Sequence, residues 1–368
     1  MRAATPTRVP VILISGVDEE AIAAATIGLQ WDLPNAAVVH HEIDPERELL
    51  VRTISDATGM IEHTEVDIEH ACTDCAIREG VIPTLERLAA TGNWESLIAQ
   101  LPVTAETTQV CRVLGMDPHE HPRLRVAASV VALHAENILP DLQGDDLLVE
   151  RELPVREDDR RGVAETASAM VEYADLIIAL GDLASIDREL LLTLAQPDVR
   201  IADAEASLDP RELEAGIHRY DHLEDWVQVV RRDPLPTHNH EQTWVLDFAS
   251  DRPFHPDRLR HNIQIIAGGA SRSRGCFWLP SRPSQICQWD GAGGMLSIGY
   301  GDNWDGHPQL TRIVVVGTDD TRSALKAALN DSLLTDAEIQ ARGRYWEVGS
   351  DGFERWLGPI RSLNLKAS

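Results

Sequence analysis

Short apolar runs recur through the first two-thirds of the chain: VPVILIS (9–15), AAVVHHEI (36–43), MIEHTEVDI (60–68), ESLIAQLP (95–102), RVAASVVAL (125–133) and DLIIAL (175–180). Runs of this length, rich in Val and Ile, predict strands, and the unbroken ones suit a sheet buried on both faces. Between them the period changes. In REGVIPTLERLAATG, Val81, Leu85, Leu88 and Ala89 share a helical face, and Gly92 stands where a C-terminal cap belongs. In GVAETASAMVEYA, Val163, Ala167, Met170, Val171 and Ala174 do the same. Strands alternating with helices predict an α/β fold with a parallel sheet.

The rhythm breaks at RRDPLPTHNHEQ (231–242), where two prolines and a polar run read as a linker over residues 233–243. After it the order is a strand (WVLDFAS), a helix (HPDRLRHNIQIIA), closely spaced strands (CFWLP, QICQWD, MLSIGY, TRIVVVG) and a helix (TRSALKAALNDSL). Hairpin-spaced strands flanked by helices predict a smaller α+β domain over 244–368, following an α/β domain over 1–232. A chain of 368 residues is long enough for two cores.

Gly16 ends the first strand and opens a helix, the setting of a phosphate-binding loop G-x-x-x-x-G-K-[ST]. Counting from Gly16, the second glycine is Ala21, the lysine is Ile22 and the Ser/Thr is Ala23, while Asp18, Glu19 and Glu20 fill the loop. Such a loop works because backbone N–H groups, a helix N-terminus and a lysine converge on phosphate oxygens. Here the lysine is gone and carboxylates stand where phosphate would sit, which the helix dipole favours and a nucleotide would not.

The net charge of −27 opposes direct binding to DNA or an anionic membrane and suits a basic protein partner, or serves solubility alone. The apolar run 9–14 is too short for a signal peptide, and no run reaches the roughly 18 residues of a membrane span. Five irregularly spaced cysteines argue against a disulfide framework, so a cytoplasmic, thiol-reduced protein is expected. Cys72-Thr73-Asp74-Cys75 with His70 before it offers two thiolates, a carboxylate and an imidazole, a donor set that zinc accepts. The same two cysteines also read as buried residues at a loop-to-helix junction. His238 and His240 in the linker, with His218 and His222 before it, read as solvated residues rather than ligands, and His255 as a structural or partner-facing residue at a helix start. The second domain gathers Phe277, Trp278, Arg272, Arg274 and Arg282, a basic and aromatic group in an acidic chain. From it Trp278, Arg274 and Arg282 are the candidate partner-binding residues. No nucleophile stands in a recognisable catalytic motif.

Several of these segments together resemble the CobW-type P-loop GTPases, proteins associated with metal handling. They are VAETASAMVEYADLIIALGDLA, HACTDCAIREGVIPTLERLA, and the series RPFHPDRLRHNI, SRGCFWLPSRP, WDGAGGMLSIG, RIVVVG and SLLTDAEI. The resemblance implies a P-loop-NTPase-like domain followed by a CobW C-terminal domain, with GTP, Mg²⁺ and zinc as cofactors. The motif departures argue against the first two. The family's Cys-x-Cys-Cys is here Cys72-Thr73-Asp74-Cys75, its acidic Walker B strand end is Leu101-Pro102, and its guanine-reading Asn-Lys-x-Asp keeps only Asp182. Gly16 and Asp182 are therefore vestiges of a nucleotide site, and a pseudo-GTPase is expected. GLQWDLPNAAVVHHEID and the HACTDCAIRE variant resemble most an actinobacterial branch that recruits a hibernation-promoting factor to the small ribosomal subunit when zinc is scarce. The resemblance thus implies an adaptor, with a zinc metallochaperone as the alternative.

Overall fold

VPVILIS folds as β1 (Val9–Ser15) and lies inside an eight-stranded sheet of order β4-β3-β2-β5-β1-β6-β7-β8. The other strands are β2 (Ala36–Asp44), β3 (Leu49–Asp56), β4 (Gly59–Asp67), β5 (Ser96–Gln100), β6 (Leu124–His134), β7 (Leu176–Leu180) and β8 (Arg200–Ala202). A computed structural model describes residues 8–116, 119–156, 158–203, 209–236 and 241–360. β1 pairs in parallel with β5 and β6, and its side chains fill two cores. Val11 and Leu13 meet α2 (Ile82–Thr91) and α3 (Thr107–Met116) through Leu85, Val110 and Leu114. Ile12 and Ile14 meet Ile22, Ala25 and Leu29 of α1 (Glu19–Asp32). Apolar side chains on both faces are why the run is continuous rather than alternating.

The expected parallel sheet holds from β2 through β8 and ends there. β3 runs antiparallel to β2 and β4 antiparallel to β3, so the sheet is mixed. Only Ala57 and Thr58 separate β3 from β4, too few residues for a crossover. β3 was hidden in the sequence because Leu50 and Ile54 are its fully buried residues, with Arg52 and Thr53 between them. The helices α4 (Val163–Glu172) and α5 (Ser185–Leu194) flank β7, and Gly92 caps α2 at φ 67°.

The chain divides into two compact units, Met1–Asp141 with Asp146–Val227, and Leu142–Asp145 with Gln228–Ser368. The second unit holds an antiparallel sheet of order β12-β11-β10-β13-β9: β9 (Trp244–Ser250), β10 (Ser271–Phe277), β11 (Gln285–Ala292), β12 (Met295–Asn303) and β13 (Thr311–Gly317). Helices α6 (Pro256–Ala267) and α7 (Arg322–Ser332) belong to the same unit. His255 is the N-cap of α6, its Nδ1 accepting the Asp257 N–H at 3.2 Å, with Pro256 at the first helical position. Of the expected linker, Asp233 is held onto this unit, its carbonyl accepting from the Arg312 guanidinium at 2.7 Å. His238 and His240 lie outside the described residues.

The aromatic and basic group is placed differently from expectation. Phe277 joins the core that α6 and α7 close, and Trp278 joins a second cluster with Cys276, Ile286 and Trp304. Trp278 is 0% exposed, so it is a core residue and not a contact for a partner. Arg282 is buried as well. Its Nε donates to Asp351 at 2.8 Å, and its two terminal nitrogens donate to the carbonyls of Leu357 (3.1 Å) and Gly358 (2.8 Å). It ties the C-terminal segment to the sheet and is unavailable to a partner. Arg272 is buried against Asp290, and Arg274 keeps partial exposure on β10.

The Arg282–Asp351 side chains are 1% and 0% exposed, so removing one partner strands a buried charge. Asp351→Asn is expected to cost about 3–5 kcal/mol in urea unfolding of the full chain. Burial pushes the Asp351 carboxyl up, but hydrogen bonds from Arg282, Ser281 and the Phe353 N–H outweigh it and hold the group below its ordinary range. That stabilisation is present above the unfolded carboxyl range and is lost as pH falls through the lower folded value. Unfolding midpoints should therefore drop below about pH 4 in the wild type, and less steeply in Asp351→Asn.

Candidate functional site

The loop after β4 is shaped by what it buries. Ile68 and Ala71 pack with Ile43, Leu50, Cys75 and Ala76, which leaves Glu69 and His70 on the outside. Cys72 then caps a short helical turn, its Sγ accepting the Cys75 N–H at 3.5 Å. The chain continues as a π-helical turn, Ala76–Val81, directly into α2. Gly80 in that turn lies against Leu50 so closely that a Cβ would stand 2.0 Å from the Leu50 Cδ2. A widened turn beside chemically useful side chains is a recurrent feature of functional sites.

These constraints bring Glu69, His70 and Cys75 together, with one carboxylate oxygen, one imidazole nitrogen and one sulfur all within 4.8 Å of one another. His70 Nδ1 lies 3.9 Å from Cys75 Sγ. Donors around tetrahedral zinc sit about 3.5 Å apart, given Zn–S of about 2.3 Å and Zn–N of about 2.0 Å. Closing the site therefore takes a side-chain adjustment rather than a refolding of the loop. The Cys75 thiol is pushed up from its ordinary range by burial and by the neighbouring Cys72 thiol. Arg78 borders the same space, its Nη2 3.7 Å from Cys75 Sγ, 3.2 Å from Glu69 and 2.6 Å from Glu79. The donor set of thiolate, imidazole and carboxylate fits zinc and would supply three of its four ligands.

The structure thus unites His70 and Cys75 of the expected ligands, keeps the Cys72 thiol beside that of Cys75, and engages Asp74 elsewhere. Asp74 is exposed and accepts from the Gln109 Nε2 at 2.5 Å, away from the thiol pair. Cys72 accepts the Cys75 N–H and lies beside the Cys75 thiol. Glu69, rather than Asp74, brings a carboxylate beside His70 and Cys75, and the sequence reading names neither it nor Arg78. Their adjacency to His70 and Cys75 was the available signal. His218 and His222 do not form a metal pair: His218 is buried on Asp175 at 2.8 Å, and His222 faces Asp198 at 3.9 Å.

The Gly16 loop keeps its shape for a reason other than phosphate. A Cβ on Gly16 would meet the Ala132 carbonyl at 2.7 Å and Ile22 Cγ1 at 2.9 Å, so the bare Cα permits close packing of the turn. Asp18 caps α1, accepting the Ala21 N–H at 2.8 Å, and Ile22, at the lysine position, is wholly buried. Thr104 donates its N–H to the Gly16 carbonyl at 3.0 Å and holds φ at 69°, a strained value for a β-branched residue. The adjoining cleft, of about 550 Å³, is lined by Asp18, Glu19, Glu20, Asn137, Asp141 and Arg151 among others. Burial pushes Asp141 up to about 6, partly offset by Arg151 at 3.3 Å. Asp182 borders a separate hollow with Arg188 and Asp203, and it is not a helix cap, since Ala184 holds that position on α5. Asp182 is therefore not among the residues that line the cleft beside the Gly16 loop.

Residues 243–333 match the cobalamin synthesis protein CobW C-terminal domain. A zinc chaperone of Mycobacterium tuberculosis is 26% identical over 403 aligned residues, covering 95% of this chain and 94% of that protein. The zinc-regulated GTPase metalloprotein activator 1 of Dictyostelium discoideum is 22% identical over 352 residues, covering 84% of this chain and 73% of that protein. Among solved structures, the Zn(II)-bound YjiA GTPase from E. coli aligns at 12% identity with a TM-score of 0.37, covering 89% of this chain and 99% of that one. The chain carries a CobW C-terminal domain behind a larger α/β unit and is homologous over most of its length to a zinc chaperone.

Proposed function

We propose that this protein binds zinc and passes it on, in the manner of a CobW-type zinc chaperone, and does so without a GTP cycle. The observation that carries the reading is the convergence of Glu69, His70 and Cys75 beside the Arg78 guanidinium. Three donors and one open position suit a metal that must be released, because an acceptor can enter the open position before the donor lets go. A mixed oxygen, nitrogen and sulfur set also holds zinc less tightly than a set of thiolates. Arg78 balances the acids beside Cys75, and an arriving Zn²⁺ would push its like charge outward. The zinc chaperone named among the relatives supports the reading, as does the fit of the donors. Against nucleotide use stand Ile22 buried in place of a cation and three acids at the loop.

A second reading is recruitment of a ribosome hibernation-promoting factor to the small ribosomal subunit. One observation favours it: a net charge of −27 suits a basic, RNA-binding partner. Pull-downs from zinc-starved cells should then recover both ribosomes and that factor, and recovery of neither would remove the idea.

For zinc, the direct test is competition against a chromophoric chelator. Cys75→Ser and His70→Ala should each weaken binding by at least about tenfold. Asp74→Asn should leave it unchanged, and an Asp74→Asn loss equal to that of Cys75→Ser would overturn the assigned donor set. Arg78→Gln should tighten zinc by a few-fold, since a cation beside the site is removed. In calorimetry with GTP and Mg²⁺, the wild type should give no binding heat at tens of micromolar protein. A clear heat would return a nucleotide switch to the mechanism.

A further inference from the structure

α1 has an uncovered side that its burial does not explain. Glu20, Ala24, Ile27, Gly28 and Trp31 are exposed along it, spanning about 16 Å of helix. Ile27 is 65% exposed and Trp31 86%. Nothing lies within 4 Å of where a Gly28 Cβ would be, so the helix has a notch beside Trp31. Met60, 69% exposed, adds a third apolar group. It is registered opposite Ser55, at a bulge of the β3–β4 ladder, and the Ser55 hydroxyl accepts from Gln30 of α1 at 3.3 Å, which places Met60 at the edge near α1.

Along this stretch of chain the charge has one sign, with Arg151 from elsewhere lining the cleft at the Glu19–Glu20 end. Between Val9 and Glu46 the sequence contains no Lys or Arg, and Asp18, Glu19, Glu20, Asp32, Glu42, Asp44 and Glu46 are all acidic. Asp18, Glu19 and Glu20 stand at one end of the helix and Asp32 at the other. We propose that the Ile27–Trp31 face of α1, with Met60, docks a basic amphipathic helix of a protein partner. Its apolar side fills the notch beside Trp31 and its cations meet the acids at the two ends of α1. Trp in an exposed apolar setting is the residue type most often found at the energetic centre of an interface. The acids give encounter rate and selectivity. An anionic lipid surface, a nucleic acid or a second copy of this acidic face would each be repelled. The proposal is independent of zinc, since it uses none of the residues of that site.

The test is fluorescence anisotropy of a labelled synthetic Leu/Lys amphipathic helix of about five turns titrated with the full chain. The wild type should bind it with an affinity that falls as salt rises, and should not bind the Leu/Glu counterpart. Ile27→Ser/Trp31→Ser should weaken binding by at least about tenfold. Glu19→Gln/Glu20→Gln should weaken it and flatten the salt dependence. Val113→Ser/Met116→Ser, exposed residues of α3, should bind as the wild type does, and circular dichroism melts should coincide for all variants. The proposal is overturned if Ile27→Ser/Trp31→Ser binds the Leu/Lys helix unchanged, because diffuse charge then suffices. It is overturned equally if the wild type fails to bind, or sediments as a dimer that the same variant dissolves.

Discussion

The burial of β1 on both faces is the constraint from which the larger unit follows. With Val11 and Leu13 packed one way and Ile12 and Ile14 the other, the strand has to lie inside a sheet with helices on each side. Its end at Ser15 then brings the chain to a turn with no room for a side chain. Gly16 passes between the Ala132 carbonyl and Ile22, and α1 begins under an Asp18 cap. The turn persists because packing demands it. A phosphate is not needed to explain it.

That separation of fold from ligand explains how the loop can fill with acid at little cost to stability. Carboxylates at a helix N-terminus are favoured by the dipole, and Asp18 adds a cap hydrogen bond. Ile22 gains full burial where a lysine would have to reach out to solvent or a ligand. Strain sits in the neighbouring loop, where Thr104 holds a positive φ and places its N–H on the Gly16 carbonyl. The candidate metal loop sits elsewhere, at the end of the antiparallel extension β3–β4, and depends on a different small core around Leu50 and Ala76.

In the second unit, one buried ion pair does the equivalent work. Arg282 satisfies Asp351 and two carbonyls of the C-terminal segment, so the chain end is fastened by hydrogen bonds inside an apolar setting. Such a group is costly to break and adds specificity in placing the segment. It also shows why a basic and aromatic cluster in a sequence need not be a surface. Arg282 and Trp278 are drawn inward by carbonyls, a carboxylate and aromatic neighbours that lie distant in the chain.

The sequence by itself determined the α/β architecture, the change of rhythm near residue 231, the loss of a phosphate cation and the presence of a thiol pair after β4. These are legible because hydrophobic period, turn residues and motif spacing are local properties. It left β3 hidden, since a half-exposed edge ribbon buries too few side chains to mark its own pattern. It assigned the carboxylate donor to Asp74 because that residue lies between the cysteines. Only the tertiary structure decided that Gln109, distant in sequence, would draw Asp74 aside. The packing of Ile68 and Ala71 turned Glu69 outward beside His70. Spacing along a chain sets which donors are near, while the direction each side chain takes is set by what the neighbouring residues must bury.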